Sequence, residues 1–214
     1  MIKGTRILRG QEAQQYLSLI GKLRKTATDL GYEEIILPAL WETELFVEKA
    51  GEDIRKQIYD FQDKAGREIC LIPEATAIIQ KMYKESWNRL YKKPVRLFYV
   101  AKCYRYEKPQ SGRYREFTQF GVELLGGKNP DDRQEINAVV QATIDVVELL
   151  EYNWKEMVKR GLDYYVEDGF EVECPSLGAQ KQVLGGGRYD CGIGFAWGID
   201  RLLLALENKN EIHN

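Results

Sequence analysis

Two runs rich in β-branched and aromatic residues, 95–105 and 117–125, are separated only by a short charged loop, 107–114, that contains glycine and proline. This pattern predicts a long antiparallel hairpin with a polar tip. A second hairpin signal surrounds Asp63-Lys64-Ala65-Gly66, with strands expected at 58–60 and 68–72. Most links between expected strands are hairpins or long returns. The predicted class is therefore α+β: an antiparallel sheet of about six strands flanked by helices, not a parallel dinucleotide-binding sheet.

Helical periodicity fills the gaps. Residues 11–31 place Tyr16, Leu19, Ile20, Leu23, Ala27 and Leu30 on one stripe before Gly31. Residues 33–37 predict a short strand closed by Pro38, and 41–50 and 74–91 predict helices. The longest helix is expected at 131–153, with Ile136, Val139, Val140, Thr143, Val146, Val147 and Leu150 inward. Further strands are expected at 170–174, 182–184 and 194–197, with a last helix at 199–207. Residues 1–207 read as one domain and 208–214 as a polar, frayed tail.

The formal net charge of −2 argues against a strongly basic nucleic-acid binder, so any RNA contact rests on a local patch. No apolar run is long enough to span a membrane, and the first residues lack the apolar core of a signal peptide. Cys70, Cys103, Cys174 and Cys191 form no Cys-x-x-Cys pair, and the one histidine is His213, which disfavours a zinc site. Reduced thiols in a cytoplasmic protein are expected.

Four constellations carry candidate chemistry. On the long hairpin, Arg105 and Glu107 end one strand, while Lys108, Arg113 and Arg115 crowd the loop. Phe117, Gln119 and Glu123 alternate on the return strand and so share one side of the sheet. Arg105 suits an α-phosphate, Phe117 offers a stacking face for a purine, and Gln119 and Glu123 suit a cationic or amide-bearing substrate. A surface hairpin with ordinary charges fits the same residues. Glu74 and Thr76, at a strand-to-helix junction, either hold an ammonium group or cap the following helix. Arg201, in the first turn of the last helix, either meets a terminal phosphate or pairs with Asp200 or Glu207. Finally, Arg160-Gly161-Leu162-Asp163-Tyr164-Tyr165 sets a guanidinium beside two phenols. The run Gly185-Gly186-Gly187-Arg188-Tyr189-Asp190 reads as a glycine-rich turn that brings backbone close to something bound.

Together these pieces resemble the three signature motifs of class II aminoacyl-tRNA synthetases. Leu37-Pro38-Ala39-Leu40-Trp41-Glu42 resembles the first, Tyr104-Arg105-Tyr106-Glu107 through Arg115-Glu116-Phe117 the second, and Gly198-Ile199-Asp200-Arg201-Leu202 the third. The Arg160–Tyr165 and Gly185–Asp190 runs resemble the two histidine-specific motifs of histidyl-tRNA synthetase, and Lys3-Gly4-Thr5-Arg6 fits the same family.

The resemblance implies activation of histidine by ATP, with Mg²⁺, to histidyl-adenylate, and transfer to tRNA through its acceptor stem. It implies that Arg105 grips the α-phosphate and the amino-acid carboxylate, and that Arg160 sits where charge develops as the carboxylate attacks. Phe117 and Arg201 would sandwich adenine, with Glu107 and Arg113 also on ATP. Glu74, Thr76 and Gln119 would hold the amino group. Glu123 with Tyr164 or Tyr165 would read the imidazole, beside Gly186 and Tyr189. The first motif implies a homodimer through 33–46. Metal ligands are not identified. The chain departs from the family pattern where Ile72-Pro73-Glu74-Ala75-Thr76 replaces Arg-Pro-Glu-Gly-Thr. It stops soon after the third motif, so the resemblance implies a catalytic core without an anticodon-binding domain and with most of the insertion domain missing. Two other readings stay open: a non-catalytic regulator like the synthetase-like subunit of ATP phosphoribosyltransferase, and amino-acid activation for a non-tRNA acceptor.

Overall fold

The expected hairpin forms and becomes the centre of a larger sheet. The computed structural model describes residues 1–158, 165–167, 169–178 and 180–212. Helix α1 (Gly10–Asp29) leads into β1 (Glu33–Ile35), β2 (Leu40–Glu42) and α2 (Thr43–Ala50). Strands β3 (Tyr59–Gln62) and β4 (Glu68–Leu71) follow, then α3 (Thr76–Met82), a π-helical turn at Tyr83–Trp87 and the short α4 (Asn88–Leu90). The hairpin is β5 (Val95–Tyr104) and β6 (Glu116–Leu125). The remainder is α5 (Asp131–Val146), β7 (Asn153–Val158), β8 (Gly169–Glu173), β9 (Gln182–Tyr189), β10 (Gly192–Gly198) and α6 (Ile199–Ile212).

Seven strands form one sheet in the order β1-β5-β6-β10-β9-β8-β7, and β2-β4-β3 form a second. Every pairing is antiparallel except β1 with β5. The fold is thus the α+β class expected, with one strand more in its main sheet than the sequence suggested and a small sheet besides.

Alternation along β5 and β6 divides the core in two. Phe98, Phe120, Val122 and Leu124 face α1, α5 and α6, where they meet Leu23, Val140 and Leu202. Leu97, Tyr99 and Cys103 face the opposite way, toward α3 and the small sheet, in a cluster with Cys70, Ile72, Ile78 and Ile79. Each such fully buried aliphatic or aromatic side chain contributes about 1.5–3 kcal/mol relative to exposure. Polar ties fix the helices on the first face. Trp197 donates to Thr143 Oγ1 at 3.0 Å. The Arg96 fork meets both oxygens of Glu135 at 2.7 and 2.8 Å, and Tyr32 donates to the same carboxylate at 2.8 Å.

Several boundaries differ from the sequence expectation: the segment expected to be helical from 41 opens with β2, and the helix expected over 74–91 is divided by the π-helical turn. The helix predicted over 131–153 ends at Val146, where Glu148 adopts φ +59°, and α1, with 20 residues, is the longest. The chain then makes β7, an edge strand that periodicity did not reveal. The glycine run 185–189 is not a turn but the body of β9, paired on both sides by β8 and β10. The expected polar tail from 208 instead continues α6 as far as Ile212. All four cysteines are free. No helix among the described residues is long and apolar enough to cross a membrane.

Candidate active site

On the second face of the main sheet lies a cavity of about 640 Å³. The hairpin, the start of α3, β9, β10 and the first turn of α6 all contribute to its wall. Its closed end is organised around Glu123, which is 1% exposed. Thr76 donates its hydroxyl to Glu123 Oε1 at 2.6 Å, and Tyr189 donates its phenol to Oε2 at 2.6 Å. Burial outweighs both hydrogen bonds, and the nearby Glu74 charge adds to it, so the carboxyl is pushed up to about 8. The strand neighbour Gly194 makes this geometry possible: a Cβ there would lie 1.9 Å from Glu123 Oε2. Gly187 does the same for Tyr165, whose ring would sit 2.7 Å from an added Cβ. Gly187 and Gly194 therefore make room for other side chains, whereas Gly185 and Gly198 present backbone to the cavity.

Glu74 caps α3. Its oxygens accept the N–H groups of Thr76 at 2.8 Å and Ala77 at 2.9 Å, which satisfies two of the orphan donors at the helix start. The same carboxylate also lines the cavity. Ala75, where the family pattern has glycine, sits at φ −103°, a conformation open to any residue. Gln119 lies two same-face steps from Glu123 along β6, and the Cys103 thiol donates to its Oε1 at 3.3 Å. Burial pushes Cys103 far up, so it stays a protonated donor. Tyr165 is half-buried, lines the cavity and bridges to Tyr189.

The open end is cationic. Arg105 donates Nε to the Pro73 carbonyl at 2.9 Å, and its guanidinium lies 5.3 Å from the centroid of the Phe117 ring. Arg113 pairs with Glu107 at 2.6 Å. Arg201 spans the wall, donating to the carbonyls of Gln182 at 3.0 Å and Gly112 at 3.3 Å. Burial, then the positive charges of Arg113 and Arg105, lower the Arg201 pKa, and Glu107 opposes them only in part. Three guanidiniums therefore line this end beside Glu107 and Asp200, the latter already paired with Arg6, a surplus that suits a polyanion.

Of the residues singled out from sequence, Glu74, Thr76, Arg105, Glu107, Arg113, Phe117, Gln119, Tyr165, Tyr189 and Arg201 line this one cavity, and Glu123 sits behind its wall, bonded to Thr76 and Tyr189. Arg160 and Tyr164 lie outside the described residues. Gly186 does not line the cavity: a Cβ on it would meet Phe170 and Phe195 in the core, and Gly185 lines the wall instead. Arg201 pairs with neither Asp200 nor Glu207; Asp200 is taken by Arg6. Arg188 turns away to clamp the buried Asp132 with a two-bond fork at 2.7 and 2.9 Å. Arg115 folds back over the Tyr106 ring at 4.0 Å. Sequence reasoning missed Tyr99 and Cys103, although the same alternation that selected Gln119 on β6 applies to β5 opposite.

An antiparallel sheet carrying this cavity on one face is the catalytic fold of class II aminoacyl-tRNA synthetases. Apo histidyl-tRNA synthetase from S. aureus superposes with a TM-score of 0.82 at 28% identity, covering 98% of this chain and 70% of that one. Within the class, the histidyl-tRNA synthetase family model matches residues 4–155, and the chain belongs to that family. A histidine–tRNA ligase from Clostridioides difficile is 31% identical, over 99% of this chain and 76% of its own length. That alignment runs over 320 positions against 214 residues here, so the relative holds a long stretch that this chain lacks within the matched region. A histidine–tRNA ligase from Methanocaldococcus jannaschii is 38% identical over 85% of this chain, which spans 39% of that protein. The same fold occurs in a Bacillus halodurans protein described as an ATP phosphoribosyltransferase regulatory subunit/histidyl-tRNA synthetase, with a TM-score of 0.78 at 19% identity, covering 95% of this chain and 82% of that one.

Proposed function

We propose that this protein activates histidine with ATP to give histidyl-adenylate and passes the histidyl group to the acceptor end of a tRNA. The observation that carries this reading is the cavity's polarity: surplus guanidinium charge at one end, a buried hydrogen-bonded carboxyl at the other. Adenine stacks on Phe117 with Arg201 across it, and Arg105, Arg113 and Glu107 order the phosphates. Glu74, Thr76 and Gln119 accept the substrate ammonium, and Glu123 with Tyr165 and Tyr189 meets the imidazole. Arg160 and Tyr164 complete these sets through the family resemblance. The reaction needs no covalent enzyme intermediate. Positioning and charge neutralisation supply the rate. Among the described residues no cluster of three or more His, Cys, Asp or Glu side chains is placed to hold a metal. Mg²⁺ would therefore enter on the nucleotide's own phosphates and supply further charge neutralisation there.

The same reading makes the protein a cytoplasmic homodimer. Ile36, Leu40 and Phe61 are 94%, 46% and 49% exposed in and beside the first-motif segment, whereas Phe46 of that segment is core. Light scattering at micromolar concentration checks this, and a stable monomer contradicts it. For the activity, ATP–pyrophosphate exchange run across all amino acids is the test, with exchange expected for histidine alone. Histidine binding without exchange would make the protein a regulator or sensor that uses only the closed end of the cavity. Exchange without tRNA charging would point to another acceptor.

A further inference from the structure

The N-terminal segment reaches the nucleotide end of the cavity without lining it. Arg6 donates Nη2 to Asp200 Oδ1 at 2.6 Å. The other oxygen of Asp200 accepts the backbone N–H of Thr118 at 2.7 Å. Asp200 is 7% exposed and directly precedes Arg201, while Thr118 lies between Phe117 and Gln119. One carboxylate thus fixes the first turn of α6 to β6, and Arg6 neutralises it. The Arg6 guanidinium also lies 4.5 Å from the centroid of the Tyr114 ring, at the base of the hairpin loop that holds Glu107 and Arg113. Two residues earlier, the Gly4 carbonyl accepts the Arg115 N–H at 2.7 Å. Gly4 has φ +87°, and a Cβ on it would lie 2.7 Å from Arg115 Cγ and 3.0 Å from Pro109. The chain from Gly4 to Arg6 is therefore a strap across the hairpin loop and the start of α6.

We infer that Arg6, acting through Asp200, is a positioning residue that sets the spacing between Phe117 and Arg201, the two walls of the nucleotide slot. This rests on the proposal that the slot takes ATP. Removing Arg6 takes the bonded cation from a nearly buried carboxylate, and Asp200 then exchanges it for Lys102 on β5, whose charge already faces it, or for the adjacent Arg201. That exchange would move a slot wall and leave Glu123, on the far side of Gln119, untouched. A merely structural role for Arg6 would weaken both ends alike.

The test measures binding of ATP and of histidine separately by calorimetry, and backbone hydrogen exchange without ligand, for wild type, Arg6→Ala, Arg6→Lys and Gly4→Ala. Arg6→Ala should weaken ATP roughly tenfold or more, the scale of one charge-assisted hydrogen bond, with histidine affinity within about twofold. Arg6→Lys should recover part of the loss, because it restores charge but not the planar fork over Tyr114. Gly4→Ala displaces the strap from its other end and should show the same ATP-selective loss. In both Ala variants exchange should rise at Thr118 and along the hairpin loop, but not at β8 and β9. Equal loss of both ligands, or unchanged exchange at Thr118, overturns the inference. If wild type binds no ATP, the reading of the slot fails. The exchange pattern then still decides whether the strap holds the two walls.

Discussion

At the open end of the cavity, Arg105, Arg113 and Arg201 crowd around Glu107, and the charged form of Arg201 is disfavoured by its own burial and by its cationic neighbours. At the closed end, beside Glu74, the Glu123 carboxyl is fully withdrawn from water and held by two hydroxyl donors. Both ends grow from the same strand, β6, six residues apart at Phe117 and Glu123. The difference lies in what surrounds them. A loop and a helix start leave the open end wet and overcharged, which favours a ligand that brings many negative charges. Two glycine-bearing strands and α3 seal the closed end, so recognition there depends on hydrogen-bond geometry in a dry site. A dry site discriminates strongly, because a ligand that fails to pair leaves a buried polar group unsatisfied.

The largest effect should come from breaking the open end. Arg105→Ala removes the cation fixed between Pro73 and Phe117, and should cut ATP–pyrophosphate exchange by about 10²- to 10³-fold. The fold should survive, since Arg105 sits outside both apolar clusters, and an unchanged circular dichroism spectrum and melting curve check that.

Next comes the acid–base behaviour of the closed end. A carboxyl raised to about 8 in the folded state favours folding most below its ordinary value, and this stability is lost as pH rises from about 4.5 to about 8. Glu123→Gln removes the titration, so its stability should stay flat where wild type falls, a difference on the order of a few kcal/mol across the window. Urea unfolding at several pH values reads it, and parallel curves for the two proteins would contradict it. A smaller effect is expected of Gly194→Ala, whose methyl must displace Glu123: about 1–3 kcal/mol of stability, with loss of histidine affinity but not of ATP affinity. The smallest belongs to Arg113→Ala. Its pair with Glu107 is partly solvated, so stability should change by less than about 1 kcal/mol. ATP affinity should fall severalfold, as one of three cations is lost, and nucleotide titration checks it.

The sequence made the hairpin legible, and with it most of the site, because a strict period of two ties Phe117, Gln119 and Glu123 to one face through residue order alone. The same rule applied to β5 would have found Tyr99 and Cys103. What it hid has a common cause. The glycines of β9 carry no side chain to announce a strand. Their role is defined by what packs against them, Tyr165 on Gly187 and, from β10, Glu123 on Gly194, and such contacts are long-range. Arg188 is likewise read correctly only once α5 brings Asp132 to it across 56 positions of sequence. The edge strand β7 shows a weak burial pattern, since most of its side chains are exposed, and so leaves little periodicity to read. Glu74 satisfied the capping alternative and still borders the cavity, a case in which two readings of one residue are compatible.

The central claim is that the two ends recognise two different substrates independently. Crossed titration tests it most directly: ATP and histidine affinities measured by calorimetry on wild type, Arg201→Ala and Glu123→Gln. Arg201→Ala should lose ATP and keep histidine, and Glu123→Gln should lose histidine and keep ATP. Loss of both ligands in either variant, or histidine binding that survives Glu123→Gln, would contradict it.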